Sequence, residues 1–440
     1  MPYDIIIGRD EKDKAKLGKK GLVNIGRSFV KMGQTTSLAN NILLDVAKAH
    51  VILVSGKRGS GKSYSLSVIA EEISLMPEEV KENLSMIMFD TMGIFWTMKF
   101  PNKREDKLLE QWNLKPRSID VHIYTPIGCY NDYKNRGIPT DYPFAIKPTE
   151  LSAGEWCNVF EIKMTDPIGV LIEKVISELK ESKKEYSIKE IVQKIEVDAK
   201  TEKNVKDAAE NRFIAADSWG LFSEKGIEIS EILKPGTVNI IDVSCYTSIS
   251  GAWSVKNLVI GLLCKKIVES RIGTRKYEEL ESIETEGRYF TGENKIELPM
   301  VWICLDEAHG SLPKIGSTPA TDALVQLLRE GRQPGISMLL ATQQPGEIHK
   351  DVLTQSDIII SHRLTAKTDI AALNSMMQSY LIADLQKNLN DLPKISGAAI
   401  LLDDNSERIY PMKVHPKLSW HGGETPSAVK IKKQLELDLE

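Results

Sequence analysis

The sequence is poor in the features that mark secreted, metal-held or membrane-embedded proteins. Five cysteines, Cys129, Cys157, Cys245, Cys264 and Cys304, are scattered through 440 residues with no C-x-x-C pair. That excludes a disulfide scaffold and a zinc knuckle, and it fits reduced thiols. The seven histidines share no metal-ligand spacing with them. No apolar run approaches the ~18 residues that a membrane span requires. The start, "MPYDIIIGRDEKDKAK", has no hydrophobic targeting core. These absences set the expectation of a cytoplasmic protein without a membrane partner. The formal net charge is only −4. This balance argues against a protein that coats nucleic acid over its whole surface, whereas a local basic patch or a pore built from several subunits stays open.

What is present is the balance of an ordinary globular chain, 42% apolar and 27% charged, long enough for two or three domains or one large core with insertions. Residues 1–45 hold short β-like runs, "YDIII", "GLVNIG" and "NNILLDV", too few for a closed barrel, and read as a small β cap. From residue 46 to 148 the pattern becomes buried strand, turn and helix, with strands "HVILVS", "LSMIMFD" and "VHIYTP". Residues 149–231 are helical by period and rich in Lys and Glu, an expected helical insertion with a solvated face. Alternation resumes over 232–415 with "TVNIIDVS", "MVWICLDEAHG", "SMLLATQQ" and "DIIISHRL". The polar stretch 273–297 reads as a surface loop, and the tail 416–440 as a charged segment with little core of its own. Strands alternating with helices predict an α/β fold with a mainly parallel sheet covered on both faces.

The segment "GKRGSGKS" sits between a predicted strand and a predicted helix. Gly56, Gly61, Lys62 and Ser63 satisfy G-x-x-x-x-G-K-[ST], with Gly59 an additional glycine. Phosphates need closely approaching backbone N–H donors, and glycines remove the side chains that would block them. The helix beginning near Lys62 turns its positive end to the same place. The ATP-binding residues expected are therefore Gly56, Lys57, Arg58, Gly59, Ser60, Gly61, Lys62, Ser63 and Tyr64, with Lys62 on the β- and γ-phosphates and Ser63 on Mg²⁺. "VWICLDEAHG" runs an apolar strand into Asp306 and Glu307. Asp306 is placed to hold Mg²⁺ through water, and Glu307 to polarise the water that attacks the γ-phosphate. In "LLATQQP", Gln343 ends the next strand, where its amide can bond both phosphate and water, while Gln344 by alternation faces the other way. In "LLREGRQPG", Arg329 and Arg332 close a helix. Either fits a helix C-cap, and in a ring this edge faces the neighbour's nucleotide. There an arginine supplied in trans is worth roughly 10³–10⁵ in turnover, and Arg332 is the favoured candidate. "MKFPNKREDK" (98–107) is the best local basic cluster, a candidate pore loop or a solvated one.

Together these residues resemble the HerA/FtsK superfamily, and within it the DUF87-type HerA branch. The resemblance runs from about Leu43 to Glu424 through "GKRGSGKS", "MIMFDTMGIF", "LKPGTVNIIDVS", "ICLDEAH", "LLREGRQPGISMLLATQQPGEIHKDVLTQSDIIISHRL" and "HPKLSWHGG". It implies a RecA-like P-loop NTPase core, a homohexameric ring with nucleotide between subunits, and double-stranded DNA threaded through the centre. It also implies a partner nuclease of the NurA type or a defence effector. The tail 416–440 is a candidate brace for a neighbouring subunit. Lys62, Ser63, Asp306, Glu307 and Gln343 carry over by motif, as does the arginine at 332. HerA proteins usually place a complete β-barrel before the P-loop to dock the nuclease, whereas 55 residues precede Gly56 here. Two alternatives stay in view. One is a nucleotide-gated ring scaffold that activates an effector without pumping DNA. The other is a conjugation- or secretion-type coupling ATPase, a class that typically carries membrane helices.

Overall fold

A computed structural model of the chain describes residues 3–32, 35–182, 185–248, 251–287, 298–364, 366–374 and 392–423. In chain order its strands are β1 (Ile5–Ile7), β2 (Leu22–Met32), β3 (Thr35–Asp45), β4 (Val51–Ser55), β5 (Leu84–Asp90), β6 (Val121–Pro126) and β7 (Tyr142–Phe144). They continue with β8 (Val238–Asp242), β9 (Met300–Leu305), β10 (Ile336–Thr342), β11 (Ile358–His362), β12 (Ala398–Asp403) and β13 (Arg408–Val414). All thirteen join one sheet in the order β1-β3-β2-β13-β12-β11-β4-β10-β9-β5-β8-β6-β7. From β11 to β7 every pairing is parallel, and from β11 through β12 and β13 to β2 and β3 every pairing is antiparallel. The parallel part accounts for the continuous apolar runs of its central strands, because helices cover both faces.

Period-two alternation divides the core. Ile52 and Val54 of β4 pack with Leu66 and Ile69 of the helix Lys62–Ser74, whereas Leu53 joins the opposite layer with Leu258 and Trp156. That second layer rests on the helices Ala153–Phe160, Pro167–Ser182, Ile188–Glu196 and Lys203–Asp217. Trp156 anchors them, its ring 5.0 Å from Phe213 and 5.6 Å from Phe160. Capping boxes at Ser152/Glu155 and Ser187/Glu190 start two of them.

Three regions depart from the sequence reading. The N-terminal runs are not a separate cap: the β2–β3 hairpin extends the core sheet, Met412 of β13 lying opposite Ser28. The expected loop at 273–297 is helical through its first half, since the helix Ala252–Gly287 runs on through it. Arg275 bridges Glu278 and Glu279 one turn away and supports the extension; residues 288–297 lie outside the described residues. The segment after Pro416 is packed into the body of the protein, with Lys417, Leu418 and Ser419 all buried. The remainder of the expected brace, 424–440, lies outside the described residues.

Candidate functional site

Parallel pairing in register brings three strand ends to one level. Ser55 of β4 stands opposite Thr342 of β10, and Leu340 of β10 opposite Leu305 of β9. The loops that follow, at Gly56, Gln343 and Asp306, therefore open side by side, the usual place for a ligand in such a sheet. The glycines fit their posts. A Cβ at Gly56 would sit 2.7 Å from the Cβ of His362 on β11. Gly61, just before the helix, has φ 110°, a conformation side chains rarely adopt.

Lys62 is buried, and its Nζ lies 3.4 Å from the carbonyl of Lys57. Ser63 Oγ donates to Asp306 Oδ2 at 2.5 Å, linking the loop to β9. Burial raises the Asp306 carboxyl, while the Ser63 hydroxyl and the Glu307 N–H pull it back. Glu307 holds a left-handed backbone, φ 52° and ψ 43°, unusual for a residue with a Cβ. Burial and the Asp306 charge raise its carboxyl; Lys62 and the Gln343 N–H oppose them. Its Oε2 has no hydrogen-bond partner among the described residues. The side chains of Lys57 and Arg58 are exposed, the Gly59 turn is open, and Ser60 Oγ is buried without a partner. An open glycine turn, a lysine held only loosely, and a hydroxyl and carboxylate oxygen left unpaired fit a Mg²⁺-nucleotide: donors and acceptors are in place that the protein does not use on itself.

The Tyr64 phenol is engaged within the protein. Its hydroxyl donates to Glu105 Oε2 at 2.9 Å and accepts from the Lys417 N–H at 2.6 Å, so the phenol holds the C-terminal segment. The two arginines also separate. Arg329 is bound within its own chain, Nε 2.7 Å from Asp351 Oδ2 and a terminal nitrogen 2.6 Å away. Arg332 lies in the turn beyond the helix Thr321–Glu330, exposed and without a side-chain partner among the described residues. In the basic cluster, Lys99 pairs with Asp141 at 2.7 Å and Arg104 stacks 4.3 Å over the Trp420 ring, leaving Lys103 and Lys107 exposed.

Sequence reasoning passed over two histidines and a tryptophan. His309 Nδ1 is 3.1 Å from Thr342 Oγ1 and 3.5 Å from Glu307 Oε2, bridging the acidic loop to β10. Burial and the Lys62 charge favour its neutral form. His362 donates from Nδ1 to the Ala398 carbonyl at 3.0 Å, so its Nε2 accepts from Ser65 Oγ at 2.9 Å. Burial pushes its pKa down to about 4, and the neutral ring forms a fixed wall behind the loop. Trp253 donates from its indole to the Gly310 carbonyl at 2.8 Å, and a Cβ on Gly310 would fall 1.8 Å from the ring. The sequence did hold a hint for His309, the third residue after Asp306 in "DEAH".

A strand–glycine loop–helix facing an acidic strand end across an intervening strand defines a P-loop ATPase. The family comparison narrows the class. A model described as the central domain of helicase HerA, DUF87, matches residues 30–267, more than half of the chain, and the chain belongs to this family. It is 27% identical over 190 residues to a probable DNA double-strand break repair helicase HerA of Methanocaldococcus jannaschii, covering 40% of this chain and 36% of that protein. The corresponding Pyrococcus furiosus helicase is 24% identical over 147 residues, covering 31% and 26%. The matches thus span about a third of those two relatives or less. A probable helicase of M. jannaschii is 21% identical over 419 residues, covering 91% of this chain and 72% of that one. Among solved structures, VirB4 of Thermoanaerobacter pseudethanolicus shares the fold, with a TM-score of 0.54 at 11% identity over 90% of this chain and 97% of that one. No helix among the described residues is long and apolar enough to cross a membrane.

Proposed function

We propose that this chain is a Mg²⁺-dependent ATPase that moves double-stranded DNA through a homohexameric ring. The observation that carries the ATPase half is the 2.5 Å contact between Ser63 and Asp306, with the unpaired Glu307 oxygen beside it. In this reading the N–H groups of residues 56–63 cradle the phosphates, and Lys62 reaches the β- and γ-oxygens. Ser63 and Asp306 would hold the metal, Asp306 through a water. When bound, Mg²⁺ neutralises charge on the β- and γ-oxygens. Glu307 orients the attacking water and draws off its proton, and the Gln343 amide fixes that water against the terminal phosphate. Arg332 of one copy enters the site of the next. In support, its side chain has no partner among the described residues, whereas that of Arg329, also exposed, is tied to Asp351.

The DNA half rests on family membership and on relatives named as DNA double-strand break repair helicases. ATP turnover measured with and without long duplex DNA tests it. The expected result is stimulation of several-fold or more, weakening as salt rises because phosphate contacts release counterions. No DNA binding at low salt together with a rate indifferent to DNA would reject translocation and leave the ATPase reading standing.

A further inference from the structure

The basic cluster 98–107 does not stand in the structure as one loop. Lys99 faces Asp141, while the residues beyond it open a closed lobe, 102–117. The two ends of the lobe meet at a single acceptor: the N–H groups of Asn102 and Arg117 both donate to the Leu418 carbonyl at 2.9 Å. Leu109 and Trp112 are buried inside it, with Arg27 stacked 4.7 Å over the indole and the His415 ring 6.5 Å away. Compact surface loops with joined ends are frequently functional. This one carries five exposed cations, Lys103, Arg104, Lys107, Lys115 and Arg117, against three carboxylates. Arg104 stacks on Trp420, whereas the other four have no side-chain partner among the described residues.

The lobe is also tied to the nucleotide site. Tyr64, two residues beyond Lys62, donates to Glu105 Oε2 at 2.9 Å and accepts from the Lys417 N–H at 2.6 Å. Asn102 Nδ2 donates to the same Glu105 oxygen at 2.7 Å and to the Lys417 carbonyl at 3.0 Å. The Trp420 N–H donates to the Phe100 carbonyl at 2.7 Å. Tyr64 therefore joins the first turn of the P-loop helix to the lobe directly, and again through the C-terminal segment 415–420.

We propose that the lobe 102–117 grips the phosphate backbone of duplex DNA through Lys103, Lys107, Lys115 and Arg117, and that Tyr64 couples its position to the P-loop helix. The inference rests on the DNA reading above and gives that reading a contact surface. A cation already paired must give up a carboxylate to bind phosphate; these four give up only water, and the DNA releases counterions in exchange. The overall charge of −4 does not oppose this, because the cations are gathered on one lobe. A membrane-seeking lobe would show an apolar edge beside its cations, and no large apolar side chain of 102–117 is exposed. Contacts to phosphate carry no sequence information, so binding should not depend on base sequence.

The test follows the anisotropy of a labelled duplex bound by the full chain over a salt series. K103A/K107A should weaken binding at least ~10-fold at low salt and lower the slope of log K against log salt by about 2, roughly one counterion per lysine. Its turnover without DNA should match wild type, which shows the fold intact. Y64F should still bind duplex, but its ratio of DNA-stimulated to DNA-free turnover should fall toward one; a purely structural loss would lower both rates and leave the ratio. Wild type that binds while K103A/K107A keeps the same affinity and slope overturns the lobe and leaves the DNA reading standing. No binding by wild type overturns both. Loss of K103A/K107A binding to phosphatidylserine vesicles but not to duplex would make the lobe a membrane contact and end the proposal. A Y64F ratio equal to that of wild type would remove the coupling.

Discussion

Glu307 joins an uncommon backbone conformation to a carboxylate oxygen without a partner, and both facts point to a residue set for chemistry rather than for packing. Glu307→Gln keeps the shape and removes the proposed base. The rate of ATP hydrolysis should fall by about 10²–10⁴-fold with nucleotide affinity retained, read by turnover beside equilibrium binding. His50 gives a residue-scale prediction of another kind. Burial alone would lower its pKa, but Asp357 at 2.6 Å and Asp45 at 3.5 Å outweigh it and hold the imidazolium up to about 9. The stabilisation is complete below the unfolded value of 6.5 and is lost as pH rises through about 9. Wild type should therefore exceed His50→Gln by on the order of 3 kcal/mol at pH 6, with the gap closing between pH 6.5 and 9.5 in urea titrations. A gap that does not change with pH would contradict the ion pairing. None of this was legible in the sequence, because His50, Asp45 and Asp357 meet only when β4 and β11 pair. The phosphate loop was legible, because its chemistry is carried by contiguous residues.

At the scale of elements, the segment 415–420 is a strap laid across the P-loop helix. Glu71 accepts from the N–H groups of Leu418 and Ser419 at 2.8 and 3.2 Å and from the Ser419 hydroxyl, and it faces the buried Lys417 ammonium at 3.8 Å. Burial lowers Lys417 to about 8. Glu71→Ala strands that cation and two N–H groups, a loss of about 3–5 kcal/mol. Chemical denaturation should show it, and limited proteolysis should cut near Trp420 sooner; unchanged stability would remove the strap from the account. Gly310→Ala should likewise lower turnover, since its Cβ cannot coexist with the Trp253 ring. A nucleotide-binding constant close to wild type would separate this effect from unfolding. Strands could be read from their apolar runs, but the strap could not, since "HPKLSWHGG" is polar in composition and is buried only through partners more than 300 residues away. The helix Ala252–Gly287 was cut short in reading for a related reason: its distal turns are held by ion pairs along the helix rather than by an apolar stripe.

For the whole molecule, the single sheet explains how residues as distant as Ser63 and Asp306 come within 2.5 Å. β10 lies between β4 and β9, and three parallel strand ends in register do the rest. Order along the chain hid this, because the strand that leads into Gln343 comes last of the three in sequence and lies between the other two in space. Arg329 is tied to Asp351, while Arg332 is exposed without a side-chain partner among the described residues. The account therefore holds that one copy supplies the loop and acids, and the next supplies the cation. The direct measurement is ATP turnover of Arg332→Ala and Glu307→Gln chains, each alone and then co-assembled. Each alone should lose at least ~10²-fold. Co-assembly should restore activity, because the acids of the first variant can meet the arginine of the second. Full activity in Arg332→Ala alone, or a co-assembled ring as inactive as its parts, would contradict the shared site.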